Sequence, residues 1–183
     1  MVASGPVDVL LSSGFLAFSR HIGFLQAVEE LGIEVDGVCG TSSGALVGAM
    51  WASGVPLAQI REELTSEPPA RLIQLHWRVW RGLFVFDRVL ERLRELLPPR
   101  FEDLERPFGV GVRGPSKAHV LLTQGPLAEA VAASCAIPFV FAPVCVEGVP
   151  YQDGGAVDRY GVDAWRRFRG GQAPLVHRVE ASL

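Results

Sequence analysis

Gly40-Thr41-Ser42-Ser43-Gly44 follows a strand candidate, Ile33 to Cys39, and precedes a compact, small-residue helix candidate, Ala45 to Ala52. A Gly-x-Ser-x-Gly pentapeptide between a strand and a helix makes a turn so tight that its central serine takes a strained backbone, while the flanking glycines avoid collision with strand and helix. The turn lifts a hydroxyl clear of the sheet, beside a helix N-terminus that supplies free amides and positive potential. As a bare pattern it is generic in a chain with 20 glycines. The strand before and the helix after make it a candidate nucleophile elbow rather than a plain turn.

The same rhythm precedes it. Val7 to Leu11 reads as a buried strand leading into the turn Ser12-Ser13-Gly14. Ile22, Leu25, Val28 and Leu31 then recur at helical spacing, with Gly32 placed to stop the helix. Strand, turn and helix given twice in succession predict an α/β fold with a central, mostly parallel sheet in a three-layer sandwich.

Further along, Pro68 and Pro69 break the chain, and Trp77, Trp80, Phe84 and Phe86 cluster before an amphipathic helix of Val89, Leu90, Leu93, Leu96 and Leu97. Asp87 is its expected N-cap and Pro98-Pro99 its terminator. Strands are expected at Phe108 to Val112 and His119 to Thr123, and a helix at Leu127 to Ser134. A hairpin turning at Glu147-Gly148 is expected within Val144 to Tyr151, and a last strand at Pro174 to Glu180. With no repeat and no linker, 183 residues predict a single domain over 1–183.

Composition bounds the function. A net charge of −3 supplies no electrostatic footprint for nucleic acid. Apolar residues at 49% against 20% charged exclude disorder as the main state. Cys39, Cys135 and Cys145 lack metal or redox spacing and read as small, buried, reduced residues. The four histidines are scattered, so no metal site and no cofactor are expected. Met1 to Pro6 lack the charged start of a signal peptide, and glycines, serines and Pro56 interrupt the longest uncharged run, Gly37 to Ile60. A cytoplasmic protein is expected.

A serine hydroxyl needs a base. His21 reads as a packing or hydrogen-bonding residue at a helix start, and His76 lies in the aromatic stretch. His119 and His177 lie in or beside strands without a catalytic context. Asp153, in Gln152-Asp153-Gly154-Gly155, is the better candidate, because two glycines behind it permit close backbone approach. An ordinary Asp-Gly turn is the other reading. Asp158 reads as a loop or helix-start acid and Asp163 as part of a solvated face.

Together these segments resemble the patatin-like phospholipase family, in a shortened bacterial form, from Asp8 to about Glu180. The resemblance is carried by Asp8-Val-Leu-Leu-Ser12 leading to His21-Ile22-Gly23, by Gly40 to Gly44, by Ala133-Ser134-Cys135-Ala136-Ile137-Pro138 and by Tyr151-Gln152-Asp153-Gly154-Gly155. Phe101-Glu102-Asp103-Leu104 before Pro107-Phe108 is similar to the family's mid-chain strand entry. The resemblance implies a Ser–Asp dyad of Ser42 and Asp153 that hydrolyses phospholipids or lysophospholipids through an acyl-enzyme. It also implies Gly40 and Gly44 at the elbow, and an oxyanion hole from the first turn, at Gly14 and Phe15.

Two departures accompany it. The family's first turn reads roughly Gly-Gly-Gly-x-Arg/Lys-Gly, whereas Ser13-Gly14-Phe15-Leu16-Ala17-Phe18 keeps only Gly14 and has Ala17 where the basic residue would stand. Phe15 and Leu16 are expected to supply neither positive φ nor room for substrate. The family's Asn-x-Pro after the aspartate is replaced by Arg159-Tyr160-Gly161. The alternative reading is therefore a weak or inactive protein of the same fold that binds an acyl chain or a protein partner. Nucleotide binding at Gly40 to Gly48 lacks both the dinucleotide and the phosphate-loop signatures. The aromatic stretch from Trp77 to Phe86, flanked by Arg78, Arg81 and Arg88, fits transient contact with a membrane surface or a core under a loop.

Overall fold

The computed structural model describes residues 5–66, 74–75, 84–85, 87–171 and 173–180. Nine strands and six helices follow along these residues. They are β1 (Val7–Leu11), α1 (Phe18–Glu30), β2 (Val35–Thr41), α2 (Ser43–Ala52), α3 (Leu57–Thr65), β3 (Gln74–Leu75), β4 (Phe84–Val85) and α4 (Asp87–Leu96). After them come β5 (Phe108–Arg113), β6 (His119–Leu122), α5 (Leu127–Cys135), β7 (Val144–Val146), β8 (Val149–Asp153), α6 (Val162–Arg169) and β9 (Leu175–His177).

The main sheet has the order β7-β8-β5-β2-β1-β9, with β6 also paired to β5. Its heart, β9, β1, β2 and β5, is parallel, and β6, β8 and β7 add antiparallel pairs. Successive side chains of a strand alternate between faces, and the two cores follow that alternation. Val9, Leu11, Val38, Phe108, Val110 and Val112 pack with α1, α2, α3, α4 and α5. Leu10 and Cys39 face the other way, onto Trp165 of α6. The sheet is thus covered on both sides, in the expected three layers, and among the described residues the second face depends on a single short helix.

α2 is hydrophobic nearly all round and buried nearly all round, as a helix between sheet and other helices must be. Gly32 adopts φ +63 and stops α1, and Glu147 and Gly148 both take positive φ at the β7–β8 turn. Two helices escaped the sequence reading. In α3, Leu57, Ile60 and Leu64 have helical spacing directly after Pro56, a usable signal. In α6, Val162, Trp165 and Phe168 lie between Gly161 and the C-cap Gly170, with Asp163 in the first turn and three arginines in the last. Asp163 is therefore a helix-start acid. The last strand is shorter than expected, and Cys145 is exposed, contrary to its expected burial. Trp77, Trp80 and Phe86, with His76, Arg78 and Arg81, lie outside the described residues, and only the backbone of Phe84 falls within them.

α6 is held by a buried carboxylate. Asp8, 1% exposed on β1, accepts from Trp165 Nε1 at 2.9 Å and from Arg169 Nε at 3.0 Å and Nη2 at 3.3 Å. Arg169 also pairs with Asp36. Removing the cation leaves a buried charge without compensation, which costs about 3–5 kcal/mol in such pairs. Arg169→Met is expected to lower the urea midpoint by a free energy toward the bottom of that range, since Asp8 keeps its Trp165 bond. Unchanged stability would show that α6 does not depend on the ion pair.

Candidate active site

Ser42 sits between the end of β2 and the start of α2 with φ 55 and ψ −120. That left-handed backbone is costly for a serine, of order 1–3 kcal/mol, and persists only where its surroundings over-determine it. The glycines permit the approach: a Cβ on Gly40 would lie 2.6 Å from Ala45 Cα, and one on Gly44 would meet the Leu11 carbonyl carbon at 2.6 Å. Hydrogen bonds complete the hold. The Ser42 amide donates to Ser134 Oγ at 2.8 Å, the Ser134 hydroxyl donates to the Gly111 carbonyl at 2.7 Å, and the Cys135 thiol donates to the Ser42 carbonyl at 3.4 Å.

β5 sets the position of Asp153. Thr41 pairs with Gly111, and the next residue of β5, Val112, pairs with Asp153 at the end of β8. One residue step along one strand thus brings the end of β8 to the elbow. Gly154 allows it, because a Cβ there would lie 2.6 Å from the Gly111 carbonyl carbon. The Asp153 amide donates to the Ala136 carbonyl at 2.9 Å. The end of α5 and the residue after it therefore fix both candidates, Ser42 through Ser134 and Cys135 and Asp153 through Ala136.

The Asp153 carboxyl is buried, 5% exposed, and accepts from the Gly155 amide at 2.7 Å. Burial pushes its pKa above the ordinary carboxylate value, while the Ser42 hydroxyl and the Gly155 amide, as hydrogen-bond donors, pull it back. The result is a carboxylate that is a stronger base than one in water, beside a serine hydroxyl.

Around this pair lies the first turn. Gly14 has room for no side chain, since its Cβ would meet Ala17 Cβ at 2.9 Å and Val179 Cγ1 at 3.0 Å. Ala17 is buried where a basic residue was expected. Leu16 adopts φ 50, so the expectation that Phe15 and Leu16 supply no positive φ is corrected: a leucine takes the conformation at its own steric cost. Phe15 is 83% exposed and points its ring away from the core. The Gly14 carbonyl accepts from Ser43 Oγ at 2.6 Å, and the Arg159 guanidinium donates to the Ser13 carbonyl at 3.1 Å.

The histidines stand apart. His21 is fully buried, with Nδ1 at 2.9 Å from His177 Nδ1 and Nε2 at 3.4 Å from Ser43 Oγ, in keeping with its packing role. Burial first, and then His177, lowers its pKa to about 4. Burial and Arg20 lower that of His177. Burial lowers that of His119, whose Nε2 has no partner. None of these three hydrogen-bonds Ser42 or Asp153. Among the described residues no group of three or more His, Cys, Asp or Glu could hold a metal ion, and no helix is long and apolar enough to cross a membrane. Sequence reasoning gave no role to Ser134, Ser43 or Arg159. All three lay inside quoted stretches, and only folding showed that Ser134 reaches the elbow and that Ser43 and Arg159 reach the first turn.

A serine on a strand–helix elbow, beside a buried carboxylate at the end of the next strand but one in the sheet, defines an α/β serine-site protein. Comparison with known proteins makes the class narrower. The family model described as patatin-like phospholipase matches residues 9–164, and the chain belongs to that family. It is 33% identical over 160 residues to an uncharacterized NTE family protein of Mycobacterium bovis, an alignment covering 85% of this chain and 44% of that protein. It is 42% identical over 52 residues to the neuropathy target esterase sws of Drosophila melanogaster, covering 28% of this chain and 4% of the fly protein. The chain thus spans less than half the length of these curated relatives. The crystal structure of VipD from Legionella pneumophila shares the fold, with a TM-score of 0.62 at 17% identity over 84% of this chain and 46% of that one.

The buried His21 yields a pH prediction. Its native pKa of about 4 lies below the unfolded value of 6.5, so the unfolded chain binds the proton first. This contribution to stability is complete above pH 6.5 and is lost as pH falls from there to about 4. Urea midpoints measured across that window are expected to fall with pH, and more steeply than in His21→Gln. Equal slopes would show that His21 is not held neutral.

Proposed function

We propose that this protein is a serine acyl-ester hydrolase acting on phospholipids or lysophospholipids through a Ser42–Asp153 dyad. The observation that carries this reading is the buried Asp153 carboxyl, with its raised pKa, beside the hydroxyl of a serine held at φ 55. The family membership and the esterase relative support the substrate class.

In the proposed reaction Asp153 takes the Ser42 proton as Oγ attacks the ester carbonyl. The tetrahedral oxyanion accepts hydrogen bonds from the amides of Gly14 and Phe15, at the start of the loop beside the elbow. Its collapse breaks the ester C–O bond, and Asp153 returns the proton to the departing alcohol. Water then attacks the acyl-Ser42, giving its proton to Asp153, and the fatty acid leaves as Ser42 Oγ is reprotonated. Burial serves the base, because a carboxylate of ordinary pKa is a weak proton acceptor at neutral pH.

The rim of the site suits a lipid. Phe15, 83% exposed, follows Gly14, whose carbonyl Ser43 holds. Phe139, 91% exposed with φ 70, lies four residues beyond Cys135, which holds the Ser42 carbonyl. Both rings are exposed large apolar groups on segments whose neighbouring residues bond the elbow, a feature that suits contact with a lipid. The binding-only reading has less to rest on, since the first turn attains a positive φ at Leu16 despite its lost glycines.

A fluorophosphonate probe is expected to add once to the wild type and not to Ser42→Ala, by intact mass. Asp153→Asn is expected to lower kcat/KM by about 10²–10⁴-fold. The wild-type acid limb, set by ionisation of Asp153, is expected above the ordinary carboxylate value. No adduct on folded protein would refute the dyad. A second expectation concerns the rim: Phe139→Ser should slow hydrolysis of phosphatidylcholine vesicles while leaving a soluble short-chain ester unaffected. Equal effects on both would remove the lipid-surface role.

A further inference from the structure

The Ser13–Phe15 turn has lost the glycines that its family uses there, yet both of its peptide planes are clamped. The Arg159 Nη2 donates to the Ser13 carbonyl at 3.1 Å and to the Val179 carbonyl at 2.9 Å, while the Arg159 carbonyl accepts the Ser13 amide at 2.8 Å. Ser13 is thus gripped at both its N–H and its C=O by one residue. The next carbonyl, that of Gly14, accepts from Ser43 Oγ at 2.6 Å. Val179, the other carbonyl partner of Arg159, donates its own amide to Ser12 Oγ at 2.9 Å, so the guanidinium is tied to the strand end that feeds the turn.

A trans peptide is planar, with C=O and N–H pointing in opposite directions, and the described residues contain no cis bond. Fixing a carbonyl therefore fixes the direction of the amide that follows it. The bond from Arg159 to Ser13 O turns the Gly14 N–H away from Arg159, and the bond from Ser43 to Gly14 O turns the Phe15 N–H away from Ser43 Oγ. Neither amide donates to any acceptor among the described residues. Two oriented, unpaired amides beside the elbow are what an oxyanion needs.

We propose that Arg159 is a positioning residue that aims the Gly14 amide at the oxyanion, replacing by a side-chain clamp the backbone geometry that the missing glycines would have supplied. This rests on the acyl-hydrolase reading above. Glycine-rich turns reach such a geometry by conformational freedom. Here the chain carries Phe and Leu instead, and an outside donor must hold the planes. Arg159 belongs to the Arg159-Tyr160-Gly161 stretch, so the two departures from the family pattern meet in one hydrogen bond.

The test uses Arg159→Ala, with amide hydrogen exchange and kinetics on a soluble short-chain ester. Exchange is expected to accelerate at Ser13 and Ala17, whose amides bond to Arg159 O and Gly14 O, while Val9 and Val38 in the sheet stay protected. kcat is expected to fall by about 10²-fold, with KM within about twofold, because the lost bond acts on the transition state. Added methylguanidinium is expected to restore rate to Arg159→Ala and none to Ser42→Ala. If Arg159→Ala does not fold, Arg159→Lys, which keeps a cation but not the guanidinium fork, is expected to show the same pattern more weakly. Unchanged exchange at Ser13 and Ala17 would overturn the clamp. Loosened exchange with unchanged kcat, or a loss that methylguanidinium does not repair, would overturn its link to the oxyanion. A wild type without fluorophosphonate adduct would instead refute the acyl-hydrolase reading, and the exchange measurement would still decide whether Arg159 holds the turn.

Discussion

The left-handed backbone at Ser42 is the constraint around which the neighbouring elements are arranged. A serine at φ 55 is unfavourable by itself, and the sheet makes it persist by leaving no alternative. Gly40 and Gly44 remove the side chains that would push β2, α2 and β1 apart. Ser134 and Cys135 then bind the amide and the carbonyl of Ser42 from the C-terminal end of α5. Burying α2 between the sheet and the other helices supplies the apolar free energy that offsets the strain.

The same interaction explains why Asp153 stands where it does. β5 pairs with the end of β2 through Gly111 and with the end of β8 through Val112, and Ser134 reaches the Gly111 carbonyl between them. A register slip of one residue would turn Asp153 to the opposite face. The backbone bond from Asp153 to Ala136 and the close approach of Gly154 to Gly111 oppose such a slip. Burial, which makes the carboxylate more basic, thus follows from the strand pairing that brings it near the serine.

The two faces of the sheet divide the work. One carries most of the helices and the large apolar core. The other carries Trp165 and an Asp8 carboxylate satisfied by an indole and a guanidinium. β1 connects that buried charge to the first turn, where Arg159, Ser43 and Val179 converge on Ser13 and Gly14, five and six residues further on. Side-chain donors thus hold the carbonyls of both Ser13 and Gly14.

The amino-acid sequence by itself determined the class of fold. Alternating strand and helix patterns, the Gly-x-Ser-x-Gly turn and the Asp-Gly-Gly stretch are local signals, and each is dictated by sterics within a few residues. β1, β2, α2 and the turn at Glu147-Gly148 were legible for that reason, and Ser42 stood out as a candidate by its turn. Asp153 by itself read equally as an ordinary Asp-Gly turn, and the family resemblance singled it out. α6 was passed over because its polar composition outweighed a three-residue apolar spacing. Its helicity depends on Trp165 finding the buried Asp8, 157 positions away in the chain. Only the tertiary structure decided what holds the site: Ser134 under the elbow at a separation of 92 residues, and Arg159 against Ser13 at 146. A hydrogen bond between distant residues leaves no periodicity and no spacing behind. It exists only once the sheet has set the register that brings its two ends together.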